Sequence, residues 1–158
     1  MADFELAEMN VARLRAPIDD PIVAEFVDAL EVINALAEAS PGFVWRFQTA
    51  DGNATSVHPY DDERVIVNVS TWTGIDALDN YVYHCEHGGF LRRRREWFER
   101  MVELSVALWW VPAGHQPDLM EAVGRLEHLR VHGASSHAFT FRLIHPPEPA
   151  ADDVLSAP

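Results

Sequence analysis

RVIVNVSTW, Arg64 to Trp72, is the clearest strand in the chain. Val65, Ile66, Val67, Val69 and Thr71 are β-branched, a composition that suits a pleated surface and not a helix. Successive side chains in a strand point to opposite faces. One face therefore carries Val65, Val67, Val69 and Thr71, and the other carries Ile66, Asn68, Ser70 and Trp72. FVWRFQT (43–49) and SVALWWV (105–111) are also apolar on both faces. A sheet with helices on one side only should alternate cleanly, so something has to cover the second face. Pairing of two sheets across a homodimer is the simplest cover, and it predicts a dimeric α+β barrel.

Towards the N-terminus, FELAEMNVARLR (4–15) reads as a strand. Asp20 can cap a helix that Pro21 opens, and Ile22, Phe26, Leu30, Ile33 and Ala37 give it one apolar face up to about Ala39. Ser40-Pro41-Gly42 stops it, and Asp51-Gly52-Asn53 marks a turn. Towards the C-terminus, one long helix is predicted from Asp76 to Glu103. A strand over 105–111 closes at Pro112-Ala113-Gly114. A helix opened by Pro117 carries Leu119, Val123, Leu126 and Leu129 and ends near Gly133. HAFTFRLI (137–144) reads as a last strand. The order is βαββαβ with an appended helix and strand, a ferredoxin-like α+β arrangement in one domain over residues 1–145. The proline-rich, acidic stretch 146–158 is expected to be a disordered tail.

The chain has 158 residues, enough for a domain with a real core. Its 25 acidic residues outnumber 12 basic ones, for a formal charge of -13. That balance argues against nucleic acid and anionic membrane surfaces as partners. All the basic residues are arginine, which excludes Schiff-base chemistry on lysine. Cys85 is the only cysteine, so there is no internal disulfide and no cysteine framework for a metal cluster. Met1-Ala2-Asp3-Phe4-Glu5 has no leader character, and no apolar run approaches the roughly 20 residues that span a bilayer. A cytoplasmic location is expected.

The long helix holds the first functional signal. At about 100° per residue, Tyr83, His87, Phe90, Leu91, Arg94, Trp97, Phe98 and Met101 share one face. His87 and Arg94 are polar members of an otherwise apolar stripe. A buried guanidinium needs a partner or a polar pocket. Polar residues also interrupt the strands at Asn10, Arg46, Asn68 and Ser70. If the strand face of Asn68 meets the helix stripe, a pocket follows, lined by Asn10, Asn68, Trp72, Tyr83, His87, Phe90 and Arg94. There His87 would act as a general base, Asn68 would orient an enolate oxygen, and Arg94 would hold a carboxylate or an oxyanion. The plain alternative is a structural network around Arg94.

His84 and His87 are spaced to share a metal, but no third ligand is marked, so no metal is expected. Gly88-Gly89 fits either a local kink or room for a ligand. Arg92, Arg93 and Arg95 read as a solvated face, with Arg92 reaching Glu96 and Arg95 reaching Glu99. Trp109 and Trp110 point to opposite sheet faces, one into the core and one towards a dimer interface. His137 reads as a pocket edge or a cap.

NVARLRAP, DDP, INALAEASPGFVWR, the Arg64–Trp72 strand, LRRRREWF, LWWVPAGHQP and RLEHLRVHG together resemble the family labelled domain of unknown function 3291. The resemblance covers roughly residues 5–146. It implies membership of the dimeric α/β-barrel superfamily, which includes antibiotic-biosynthesis monooxygenases, haem-degrading monooxygenases and stress-responsive barrel proteins. Asn10 and Trp72 resemble positions of the haem-degrading members. The second tryptophan of those members falls near Tyr81, and their haem-ligating histidine falls near Leu91, one helical turn beyond His87. Asn68 and Trp72 resemble the asparagine and tryptophan, four apart, of the cofactor-free monooxygenases. The reading is an enzyme without a cofactor, of monooxygenase-like or proton-transfer type, acting on a small aromatic or polyketide-like molecule. A non-catalytic, stress-associated or ligand-binding dimer is the first alternative, and haem binding through His84 or His87 is the second.

Overall fold

The computed structural model describes residues 3–50, 52–84 and 93–148. Strand β1 spans Phe4–Arg13. The Asp20 carboxylate accepts the backbone N–H of Ile22 at 2.9 Å, and Pro21 opens a 3-10 turn, Pro21–Val23, that leads into α1, Ala24–Ala39. Gly42 sits at φ 84°, where an added Cβ would collide with Ala77 and Thr73. Only glycine lets the chain turn there from α1 into β2, Phe43–Arg46. β3 spans Val65–Trp72, and α2 spans Ile75–His84. A short helix α3, Arg94–Trp97, precedes β4, Val106–Pro112. The last helix, α4, spans Leu119–His132. Asp118 caps it by accepting the Glu121 N–H at 2.8 Å, and Gly133 ends it at φ 76°.

The sheet order is β2-β3-β1-β4, with every neighbouring pair antiparallel. With α1 between β1 and β2 and α2 after β3, this is the ferredoxin-like α+β topology. Opposite Leu6, Glu8 and Asn10 of β1 stand Trp72, Ser70 and Asn68 of β3. On the other side stand Trp110, Leu108 and Val106 of β4.

One sheet face carries Ala7, Met9, Val11, Val65, Val67, Val69, Ala107, Trp109 and Val111, all buried against Ala122, Leu126 and Leu129 of α4. The two-sided apolarity of the strands thus has a cover within the chain, supplied by the appended helix and not by a second sheet. Trp110 is half-buried within the chain. It lies near Phe139, and its indole N–H donates to the His145 carbonyl at 2.8 Å. The opposite face is split. At one end Leu6, Trp72 and Leu108 pack with Ala37, Leu78 and Phe139; at the other, Leu14, Val23, Phe26 and Trp97 form a separate cluster. The polar middle of the sheet lies between them.

Two sequence expectations are corrected. The helix of residues 76–103 does not run on. Arg93 stands at the N-terminal end of α3, and Phe98 is extended and bridges Leu14. The end of β1 supplies the competing partners: the Arg15 N–H donates to the Trp97 carbonyl at 2.8 Å, and the Glu99 N–H donates to the Arg13 carbonyl at 2.9 Å. Residues 137–144 form no strand. Phe139 exchanges both backbone hydrogen bonds with Leu108, after which the chain turns between Thr140 and Leu143. No helix among the described residues is long and apolar enough to cross a membrane.

Candidate functional site

A cavity of about 980 Å³ lies between the split sheet face, α1, α2 and the segment 94–101. Its floor comes from alternate residues of the two central strands. Asn68 is the one exposed residue of β3, whose other seven positions are buried or half-buried. Asn10 stands directly across from it on β1.

Beside this pair is a chain of hydrogen bonds. The Trp72 indole N–H donates to Ser70 Oγ at 2.9 Å, and the Ser70 hydroxyl donates to Glu8 Oε2 at 3.1 Å. Asn10 Nδ2 donates to Glu8 Oε1 at 2.5 Å. Glu8 is only 6% exposed and borders the cavity. Burial pushes its carboxyl from 4.5 up to about 7, while the bonds from Asn10 and Ser70 pull it back down. Arg46, opposite Ser70 on β2, is engaged by Glu38 at 2.8 Å and Gln48 at 3.3 Å. Trp72 closes one end of the cavity, stacked on Tyr81 at 5.1 Å and meeting Phe43 edge-on at 5.3 Å.

At the opposite end Arg94, Arg95 and Arg100 line the cavity. Most other arginines are paired: Arg13 with Asp62, Arg64 with Glu99, Arg93 with Glu25 and Glu96, and Arg130 with Glu103 and Glu127. Among the described residues, no carboxylate is paired with Arg94, Arg95 or Arg100. In a chain of formal charge -13, three guanidinium groups with no carboxylate partner among the described residues form a local field at that end that attracts anions.

The structure brings Asn10, Asn68, Trp72, Tyr83 and Arg94 to one cavity. His87 and Phe90 lie outside the described residues, as do Cys85, Gly88, Gly89, Leu91, Arg92 and the end of the tail. Arg94 is exposed and not on a buried stripe. Tyr83 is 60% exposed, with its ring edge against Phe141. The inward face of α2 is instead Leu78, Tyr81 and Val82. Arg95 does not pair with Glu99, which turns to Arg64 and Arg13. His137 is not among the residues that line the cavity; its backbone N–H donates to Ser135, and its ring faces Arg125 at 3.0 Å. Among the described residues, no three His, Cys, Asp or Glu side chains are grouped to hold a metal ion.

Sequence reasoning missed Glu8. The signal was present: Leu6, Glu8 and Asn10 alternate with Ala7, Met9 and Val11, so a strand must place Glu8 beside Asn10.

A family model described as Domain of unknown function (DUF3291) matches residues 5–154. The chain belongs to the DUF3291 family. No curated protein matches it. Among solved structures, this DUF3291 chain is similar to SnoaB, a cofactor-independent oxygenase from Streptomyces nogalater. Identity is 18% and the TM-score 0.47, covering 73% of this chain and 97% of that one. It is similar to Rv0793 from Mycobacterium tuberculosis at 14% identity and TM-score 0.46, covering 72% and 99%. A dabb family protein with a ferredoxin-like fold from Mesorhizobium loti is similar at 18% identity and TM-score 0.42, covering 70% and 99%.

Proposed function

We propose that the chain binds a small aromatic or enolisable molecule in this cavity and acts on it without a cofactor, by a monooxygenase-like or proton-transfer reaction. One observation carries the reading: Asn68 presents its amide to an aromatic-walled cavity from the middle of an otherwise covered strand. A carboxamide there donates to an oxygen that gains charge when the ligand loses a proton. Trp72 forms the wall against which a flat ring stacks, with Asn10 and Tyr83 contributing further contacts. Arg94 holds an acidic substituent at the opening. His87 and Phe90 belong to the same proposal, His87 as an acid or base and Phe90 as an apolar contact.

The test is binding of 2-tetralone, a flat enolisable ketone, followed by quenching of tryptophan fluorescence. Asn68→Ala is expected to weaken binding by about tenfold, the worth of one hydrogen bond to a polarised oxygen. Unchanged affinity in that variant, or no binding by the unaltered protein, defeats the proposal.

A non-catalytic binder of the same ligand is favoured by one observation: Glu8, Ser70 and Trp72 satisfy one another without a guest. The homodimer and the cytoplasmic location belong to the proposal as well. Because α4 occupies one sheet face, two copies would associate through another surface, which sedimentation would detect.

A further inference from the structure

We infer that Glu8 is a proton-transfer group of the cavity, taking a proton from a carbon next to a ligand carbonyl while Asn68 receives the enolate oxygen. The inference rests on the cavity being a ligand site, and it adds a residue for the proton transfer.

The geometry comes first. Glu8 and Asn68 are diagonal neighbours on the central strand pair, about 7–8 Å apart at the backbone. Both border one cavity. A ligand carbonyl hydrogen-bonded to Asn68 sets its α-carbon one bond away, towards Glu8. In the step, the C–H bond breaks and an O–H bond forms on the Glu8 carboxylate. The electron pair left on carbon moves onto the carbonyl oxygen. No oxidant is consumed, and the reverse step returns the proton.

Glu8 is also held as such a group should be. Each carboxylate oxygen accepts one fixed hydrogen bond, from Asn10 or from Ser70, and Ser70 is itself fixed by the Trp72 indole. Asn10 and Ser70 are positioning residues. Among the described residues no cation pairs with the carboxylate: β4 places Val106 and Leu108 opposite Asn10 and Glu8, and Arg46 of β2 is taken up by Glu38 of α1. Burial raises the carboxyl to about 7, which lets it both take and return a proton near neutral pH. A merely structural glutamate would not need a cavity at its side. Arg94, Arg95 and Arg100, which line the same cavity, select among enolisable ketones those that carry an acidic substituent.

The experiment follows exchange of the α-protons of 2-tetralone in deuterated buffer by proton NMR. The same samples are assayed for binding by fluorescence. The unaltered protein is expected to accelerate exchange, with a rate that rises with pH to a midpoint near that of Glu8. Glu8→Gln should bind the ketone and lose at least about 100-fold in exchange rate. Glu8→Asp should keep part of the rate. Glu8→Ala should recover exchange on addition of formate, which a structural role would not produce. Asn10→Ala and Ser70→Ala should move the midpoint upward, because both bonds favour the charged form. Binding without exchange in the unaltered protein, or full exchange in Glu8→Gln, overturns the role of Glu8 and leaves the ligand site standing. Absence of binding overturns the ligand site itself, and the inference with it.

Discussion

Replacing Glu8 with glutamine should stabilise the protein at alkaline pH and leave its stability little changed in acid. The unfolded chain holds the Glu8 proton with a pKa of 4.5, and the folded chain holds it up to about 7. Between these values the folded state binds more protons than the unfolded one, so stability falls as pH rises. Below about 4.5 the group is neutral in both states and carries no penalty. Above about 7 the penalty is complete. At about 1.4 kcal/mol for each pH unit, it reaches about 3 kcal/mol. Glutamine removes the charge and keeps the shape. Its amide N–H can donate to Ser70 while its oxygen accepts from Asn10, and imperfect pairing costs about 1 kcal/mol. A net gain of about 2 kcal/mol at pH 8.5 follows, shrinking to zero or a slight loss at pH 4.5. Urea unfolding of both proteins at the two pH values measures this directly. Every other titrating group is common to both and cancels in the difference. If the difference between variant and parent is the same at both pH values, the carboxyl is not displaced, and the electrostatic reasoning about the cavity falls.

Leu126→Ala should cost about 3 kcal/mol, because Leu126 is wholly buried between α4 and the sheet. A loss under about 1 kcal/mol in urea unfolding would mean that α4 is not the main cover of that face. Exchanging Arg94, Arg95 and Arg100 together for glutamine should weaken binding of 2-naphthoate and leave 2-tetralone unaffected; equal effects on both would refute selection by charge. His137 has its pKa lowered by burial and then by Arg125 and His128, so the unfolded chain takes up its proton first. Its contribution to stability is present above 6.5 and is lost as pH falls below that value, a loss that His137→Gln should reduce in the same unfolding assay.

The sheet was legible because β-branched runs and turn residues speak locally. Asp20-Pro21 and Pro117 likewise marked helix starts, the second of which the structure sets two residues later, at Leu119 behind the Asp118 cap. The long helix was misread for a physical reason. Apolar spacing continues through Trp97 and Phe98, but those residues follow it into a bridge with β1 that no local pattern announces. Extending the helix also set the wrong phase, which put Tyr83 inward where Leu78 and Tyr81 belong. Asn10 and Asn68 stood out because polar residues in apolar strands are rare, and Trp72 through the resemblance to the cofactor-free monooxygenases; all three line the cavity. Glu8 was overlooked because a charge near the start of a strand reads as solvated, and only the register across β3 shows it buried beside Ser70. The cover of the second sheet face was anticipated in kind but assigned to a second copy. Nothing in the strands themselves tells an internal helix from a neighbour.

That internal cover changes how the molecule depends on its surroundings. A sheet closed by a partner loses its core on dilution, so that folding and assembly become one equilibrium. Here α4 travels with the sheet it shields, so that this face keeps its cover whether or not a second copy binds. Any dependence of its melting temperature on protein concentration would then report association through another surface, not the closing of this one.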